Sequence, residues 1–538
     1  MIKHKNWYFP VKNIFHSDEE FAESLKTKKL AKNGKRKVLQ NGSENGFERK
    51  KNCGNRTGLA FDEECLFHFG NSEEPENPER YDACLDVLTL SGLKKRCFPI
   101  IANSSIFSVK ELIKLAHTKD HMEDLFILNE RIGEAICDSN NNDSYYESVF
   151  TINSVKQSVA QCVALSELVI EGKLNNGFCM VRPPGHHCDL DRKYGFCHVN
   201  NIAIAIKNLQ AKNPEIKILV FDWDLHHGNG TEDIFYDDDK IVYISVHQEF
   251  DITGKEMFPG TGGISDVGGR SARGRNVNIP VAIGSGDGEF RSIFDHVVSP
   301  ILKEFAPDAV FVSSGFDSAG GDLLGLLEVT PRMFHYMTER LIREQSNGKV
   351  LLFLEGGYNA KVVAQCAAHC ISGLLGDFSD FDPKPSIESD FLFSLDNIIR
   401  AQRVYWKSLY NSNPLGTNKK SPETTHIVDL SVRKKSRSKR RKKLVALKRY
   451  RLTHPEDFDN EISISEHFEE ESEYEEVYRD KKVPKIRPLM VPMRALEIID
   501  LTEMAEEKAP ESEKSSEENG LEEKVVEIDD GLDVIVLE

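Results

Sequence analysis

The sequence predicts an α/β fold: a central, mostly parallel sheet flanked by helices, with disordered tails at both ends. Three observations predict it. Short apolar runs that end in Gly, Asp or Ser alternate with longer helix-like stretches. The runs are apolar at successive positions, as strands covered on both faces must be. This pattern is confined to the middle of the chain, and both ends are polar and charged.

Residues 1–55 carry the basic clusters KTKK and KNGKRK and the turn-rich NGSENG, so a disordered segment is expected there. The packed domain is expected over 56–412. Its strands are GFCMVRPPG (177–185), IKILVFDWD (216–224), KIVYISVH (240–247), DAVFVSSGFD (308–317) and GKVLLFLEGGYN (348–359). Helices are expected at VKQSVAQCVALSELVIEG (155–172) and MFHYMTERLIRE (333–344). In a parallel sheet of this kind, ligands bind outside the carboxyl ends of the strands. His186, His187, Asp222 to His227, Asp317 and Tyr358 all fall at such ends.

At 538 residues and 39% hydrophobic, the chain can bury a large core. It has no apolar run long enough to span a bilayer. Its first residues, MIKHKNWYFPVKNIF, lack the apolar stretch of a secretory signal. Eleven cysteines with no Cys-x-x-Cys pair fit reduced thiols in the cytosol or nucleus, against a disulfide scaffold or zinc finger. The net charge of −18 hides an asymmetry. Residues 433–443, RKKSRSKRRKK, are followed by acidic blocks such as EEESEYEE, and 413–538 is expected to be a disordered tail. Direct sequence-specific DNA binding is not implied.

FDWDLHHGNG (221–230) puts two aspartates and two histidines at the end of a buried strand. Buried carboxylates are costly unless paired or bound to metal. Asp224 and His226 are two apart, so on an extended strand end they point the same way. Asp317 in SSGFDSAGGD is the natural third donor. Two carboxylates and one imidazole leave a position open, as in catalytic zinc sites. In RPPGHHCD (182–189), a glycine-hinged turn can aim His186 and His187 into one pocket as base and acid. Asp222 and Asn229 are candidates to hold their tautomers. In LEGGYN (354–359), Tyr358 sits on a tight turn where a phenol can donate to a polarised carbonyl.

RPPGHH, GFCHVNN, DWDLHHGNGTED, FPGTG, GFDSAGGD, VTP and LEGGYN, in this order and spacing, resemble the zinc-dependent histone deacetylases. RPPGHH, the Trp of DWD, the Asn of HHGNG and LEGGYN resemble the class II branch, as do TGLAFDEECLFH and ENPERYDACLDVL nearer the N-terminus. The resemblance covers about residues 57–410. It implies the arginase-like fold and hydrolysis of N6-acetyl-lysine on histones and other proteins, hence chromatin regulation and transcriptional repression with co-repressor subunits. It implies zinc on Asp224, His226 and Asp317, His187 as base and then acid, His186 with Asp222 as electrostatic partner, and Tyr358 on the oxyanion. It further implies a tunnel walled by Gly195, Phe196 and Phe258, a rim contact at Asp143 or Ser144, and structural potassium at Asp222, Asp224, His226, Ser245 and Val246. The chain departs from the family pattern at Cys188 (usually Ala), His198 (usually Phe or Tyr) and Leu323 (often Pro).

The run 433–443 resembles a nuclear localisation signal. EIIDLTE (Ile498, Ile499, Leu501), VVEIDD and DVIVLE (Val534, Ile535, Val536) resemble SUMO-interacting segments, which add a strand to a partner's sheet. Two other readings stand beside the deacetylase. One is an acetylpolyamine amidohydrolase, which an acidic gate at the mouth would favour. The other is a non-catalytic co-repressor scaffold, against which intact Tyr358 and His187 argue. A binuclear manganese ureohydrolase would need further carboxylates.

Overall fold

The structure, a computed structural model, describes residues 56–415 apart from 71–73, 103, 106, 128–146, 149, 346 and 378, together with the backbone of two strands near the C-terminus. Eight parallel strands run β1 (Thr57–Ala60), β2 (Phe98–Ala102), β3 (Asn176–Cys179), β4 (Ile218–Asp222), β5 (Ile241–Gln248), β6 (Asn276–Val281), β7 (Ala309–Ser314) and β8 (Val350–Leu354). Their order across the sheet is β6-β5-β4-β7-β8-β3-β1-β2. A C-terminal hairpin, β9 (Glu523–Ile528) and β10 (Leu532–Leu537), lies antiparallel to itself with β10 along the outer edge of β2. Two of the three SUMO-like segments, including Val534, Ile535 and Val536, fall in these strands; Ile498, Ile499, Leu501 and the basic run 433–443 lie outside the described residues.

The strand β4 shows why both faces had to be apolar. Leu219 and Phe221 face one core with Trp223, Phe290 and Phe334. Ile218 and Val220 face the other with Val155, Ile202 and Phe311. The second core is covered by two helices, α1 (Thr151–Ile170) and α2 (Asn201–Lys212). The first is covered in part by α3 (Pro331–Glu344) and α4 (Ala360–Leu374).

The strands are shorter than the apolar runs suggest. In the run 177–185 the strand ends at Cys179, and 182–185 lead through a bend to the turn at His186 and His187. Two motif asparagines serve as helix caps: Asn200 accepts from the Ala203 amide at the start of α2, and Asn359 from Lys361 and Val362 at the start of α4. Such caps satisfy amides that have no partner inside the helix. From β4 the chain runs outward to β5 and β6 on one side and to β7 and β8 on the other, so the order reverses between β4 and β7. A crevice opens at such a reversal, at the carboxyl ends of the strands. No helix among the described residues is long and apolar enough to cross a membrane.

Candidate active site

Four strand ends meet at that crevice. Asp222 ends β4 and pairs in register with Ser313 of β7 and Ser245 of β5. The chain then bends instead of continuing extended. Asp222 Oδ1 accepts the Asp224 amide (3.1 Å), and Asp224 Oδ1 accepts the His226 amide (2.9 Å). The expected convergence of Asp224 and His226 is therefore achieved by two successive carboxylate-capped bends, because Asp readily bonds an amide two residues on. Asp317, three residues beyond β7, completes the group: its Oδ2 lies 2.9 Å from His226 Nδ1, and Asp224 Oδ1 lies 3.3 Å from the same nitrogen.

All three are buried, and their donor atoms lie within 4.8 Å of one another. Glycines leave room for them: a Cβ on Gly315 would fall 1.8 Å from Asp224 Oδ2, and one on Gly356 2.4 Å from Asp317 Oδ2. The donors fit a metal ion, and their electrostatics say the same. Burial alone would lower His226, yet its bonds to Asp224 and Asp317 raise it to about 9. Burial and the Asp224 charge push Asp317 up to about 7. The two carboxylates and the imidazole thus favour positive charge between them.

The tandem histidines sit on the turn after β3. His186 Nδ1 lies 3.1 Å from Asp222 Oδ2, which also accepts from the Tyr243 hydroxyl (2.9 Å). Burial opposes charge on His186, but Asp224 and Asp222 outweigh it and raise the ring to about 10. His187 Nδ1 lies 2.9 Å from Asn229 Oδ1, and Asn229 Nδ2 returns a bond to the His187 carbonyl (3.2 Å). Burial, then the His186 and His226 charges, hold His187 well below the ordinary histidine range. Two adjacent histidines are thus driven in opposite directions, one toward its charged and one toward its neutral form.

Tyr358 is 7% exposed, and burial followed by the Asp317 and Asp224 charges pushes its phenol well above its usual value. Its amide donates to Asp322. Phe196, at φ +65, packs 5.7 Å from the Tyr358 ring, while Phe258 packs 5.1 Å from His187. Gly195 lies at φ +52, and a Cβ there would meet His187 Cδ2 at 2.4 Å, so only glycine lets this wall approach the base. Ser245 Oγ bonds His247 Nδ1 (2.9 Å), and Val246 is buried beside it on β5. Asp143 and Ser144 lie outside the described residues.

Four residues of the site went unread in the sequence. Glu355, inside LEGGYN, accepts the Gly185 (2.7 Å) and His186 (3.2 Å) amides and so fixes the tandem turn. Arg80 holds the glycine turn beneath Tyr358, donating to the Glu355 (2.6 Å) and Gly357 carbonyls. Tyr194 packs 4.7 Å from Phe258. Tyr243 reads as strand core. Glu355 and Arg80 carried a signal, since they lie within LEGGYN and ENPERYDACLDVL; Tyr194 and Tyr243 lie in none of these motifs.

A carboxylate–imidazole cluster that fits a metal ion, a tandem histidine pair and a buried tyrosine gather where the order of a parallel sheet reverses, and the chain belongs to the histone deacetylase family: the histone deacetylase domain matches residues 74–374. Its relatives lie on the class II side. The chain is 33% identical over 363 residues to Histone deacetylase 15 of Arabidopsis thaliana, covering 66% of this chain and 63% of that one. It is 33% identical over 380 residues to Histone deacetylase HDA1 of Saccharomyces cerevisiae, covering 65% and 53%. The crystal structure of the HDA15 HD domain matches with a TM-score of 0.60 and 34% identity, covering 66% of this chain and 96% of that one. The chain spans about half the length of the curated relatives named Histone deacetylase 4 in two Caenorhabditis species.

Proposed function

We propose that the protein is a zinc-dependent lysine deacetylase that hydrolyses N6-acetyl-lysine on histones and other proteins. The observation that carries this reading is the tandem pair His186 and His187, held by Asp222 and Asn229, beside the Asp224–His226–Asp317 cluster. Those three residues would hold zinc, which when bound polarises an amide carbonyl and makes water acidic. Neutral His187 can take a proton from that water through Nε2, because Asn229 holds its Nδ1–H. The same proton can then pass to the leaving lysine amine. His186, charged and paired with Asp222, keeps positive potential next to the reacting carbonyl. Tyr358, held protonated, can donate to the developing oxyanion. Phe196 and Phe258 offer aromatic faces to the lysine methylenes. A structural potassium ion at Asp222, Ser245 and Val246 belongs to the same proposal.

The acetylpolyamine reading is less well supported. Leu323 and Leu324 follow Asp322, whose carboxylate turns inward to the Tyr358, Asn359 and Leu324 amides. Next to the Tyr358 turn that stretch thus carries two leucines and a carboxylate already taken up by amides. The deciding experiment compares turnover on acetylated histone peptides and on acetylspermidine, with metal analysis of the same sample. Faster turnover of acetylspermidine would replace the lysine reading. We further propose a nuclear protein imported through residues 433–443, with chromatin-bound co-repressors and SUMO as partners. Neutralising the basic run should abolish nuclear accumulation on imaging and leave peptide turnover unchanged.

A further inference from the structure

A second group of soft ligands lies just behind the tandem histidines. His117, His121 and Cys188 are buried, with one donor atom from each within 4.8 Å of the others. The two rings stack with centroids 4.9 Å apart. Cys188 Sγ is 3.7 Å from His121 Nε2 and 3.3 Å from the His198 carbonyl oxygen, which itself is 2.8 Å from His121 Nε2. Nitrogen and sulfur on one tetrahedral zinc, at ~2.0 and ~2.3 Å from the metal, stand roughly 3.6 Å apart. The sulfur–nitrogen separation here matches that figure.

We propose that His117, His121 and Cys188 form a second, structural metal site for zinc or a similarly thiophilic ion. The two histidines are prepared for it. Burial, then its neighbour His121, lowers His117 to about 3, and burial also lowers His121, so both rings are neutral. His117 Nδ1 lies 2.7 Å from the Asp189 carbonyl, which makes it the protonated nitrogen and leaves a lone pair on Nε2. Such a bond to a carbonyl is the usual support of a metal-bound imidazole. That lone pair accepts the Asn200 amide (2.9 Å), a bond that a bound ion would replace. The neutral His121 ring has one N–H, yet two backbone carbonyls, of His198 and Asp191, face it as acceptors. With a cation on Nε2, the ring N–H moves to Nδ1 and donates to the Asp191 carbonyl. Binding releases the Cys188 thiol proton to solvent, and the thiolate becomes the anionic ligand. Cys188 directly follows His187, so the ion would staple the turn that carries the proposed base.

The test uses the purified full chain and cobalt. The Asp224–His226–Asp317 site offers only oxygen and nitrogen, so a thiolate-to-cobalt charge-transfer band in the near ultraviolet reports the second site alone. Two metal equivalents per chain with that band are expected. Cys188→Ala should lose the band and one equivalent; Asp317→Ala should lose the other equivalent and keep the band. A single equivalent without a thiolate band in the unmodified chain overturns the proposal and leaves a pair of backbone-bonded core histidines beside a thiol. A band that survives Cys188→Ala overturns it equally. Neither readout depends on deacetylase turnover.

Discussion

Two buried charge clusters lie on either side of the turn that carries the tandem histidines, and they are built to opposite specifications. In one, Glu76 sits between Arg80 and Arg182, all at 1% exposure or less. Burial would raise the Glu76 carboxyl, but the Arg182 and Arg80 guanidinium groups hold it far below the usual carboxylate range. Arg182 also donates to the Cys65 (2.6 Å) and His68 (3.0 Å) carbonyls, and Arg80 to Glu355 and Gly357. This cluster supplies its own counter-charges and ties β3, β8 and the N-terminal segments into one body. In the other cluster, Asp222, Asp224 and Asp317 have histidines and no arginine or lysine as their hydrogen-bonded side-chain bases, and Asp317 is pushed up to about 7. A self-neutralised cluster holds geometry. A cluster short of positive charge invites a ligand.

The largest expected effect breaks the second cluster. Asp317→Ala or His226→Ala should remove the metal held there and bring deacetylation to background, since three protein ligands are the usual complement of a catalytic zinc site. Metal analysis and turnover on one sample decide it; full occupancy with unchanged turnover would refute the ligand set.

Tyr358→Phe comes next. It should keep the fold and the metal while lowering turnover by roughly 10²–10³, the usual loss for one oxyanion donor. An unchanged rate would place Tyr358 outside the reaction.

The first cluster should respond in stability instead. Glu76→Gln leaves two buried guanidinium groups without their carboxylate, which costs about 3–5 kcal/mol. Urea denaturation of the metal-loaded chain measures it, and a cost below about 1 kcal/mol would mean that water or backbone carbonyls already balance the pair.

The smallest effect is a pH slope. Unfolded Glu76 takes a proton near pH ~4.3, whereas the folded residue stays ionised well below that. Between those limits the unfolded state binds more protons. The stabilisation is therefore complete above about pH 4.3 and is lost as pH falls below it. Glu76→Gln should flatten this acid limb. An identical slope in both proteins would assign the acid sensitivity to other groups.

The sequence by itself determined the sheet and much of the crevice. The strand β4 had to be apolar on both faces because it is covered on both, and a run of adjacent apolar residues is legible without coordinates. Asp224, His226 and Asp317 were legible because carboxylates at the end of a buried strand need a cation. Asp222 and Asn229 were legible as candidate partners of the histidines, and the fold sets them on His186 and His187 respectively. Only the tertiary structure decided the opposed charge states of His186 and His187, because these depend on which carboxylates face each ring across distances the sequence does not encode. It alone revealed Glu355 as the brace of the tandem turn and Arg80 as the prop beneath Tyr358, since each acts on backbone that lies far away along the chain. The meeting of Cys188 with His117 and His121 was hidden for the same reason: the residues are separated by up to 71 positions and are joined only when the loop after β3 folds back onto the segment after β2.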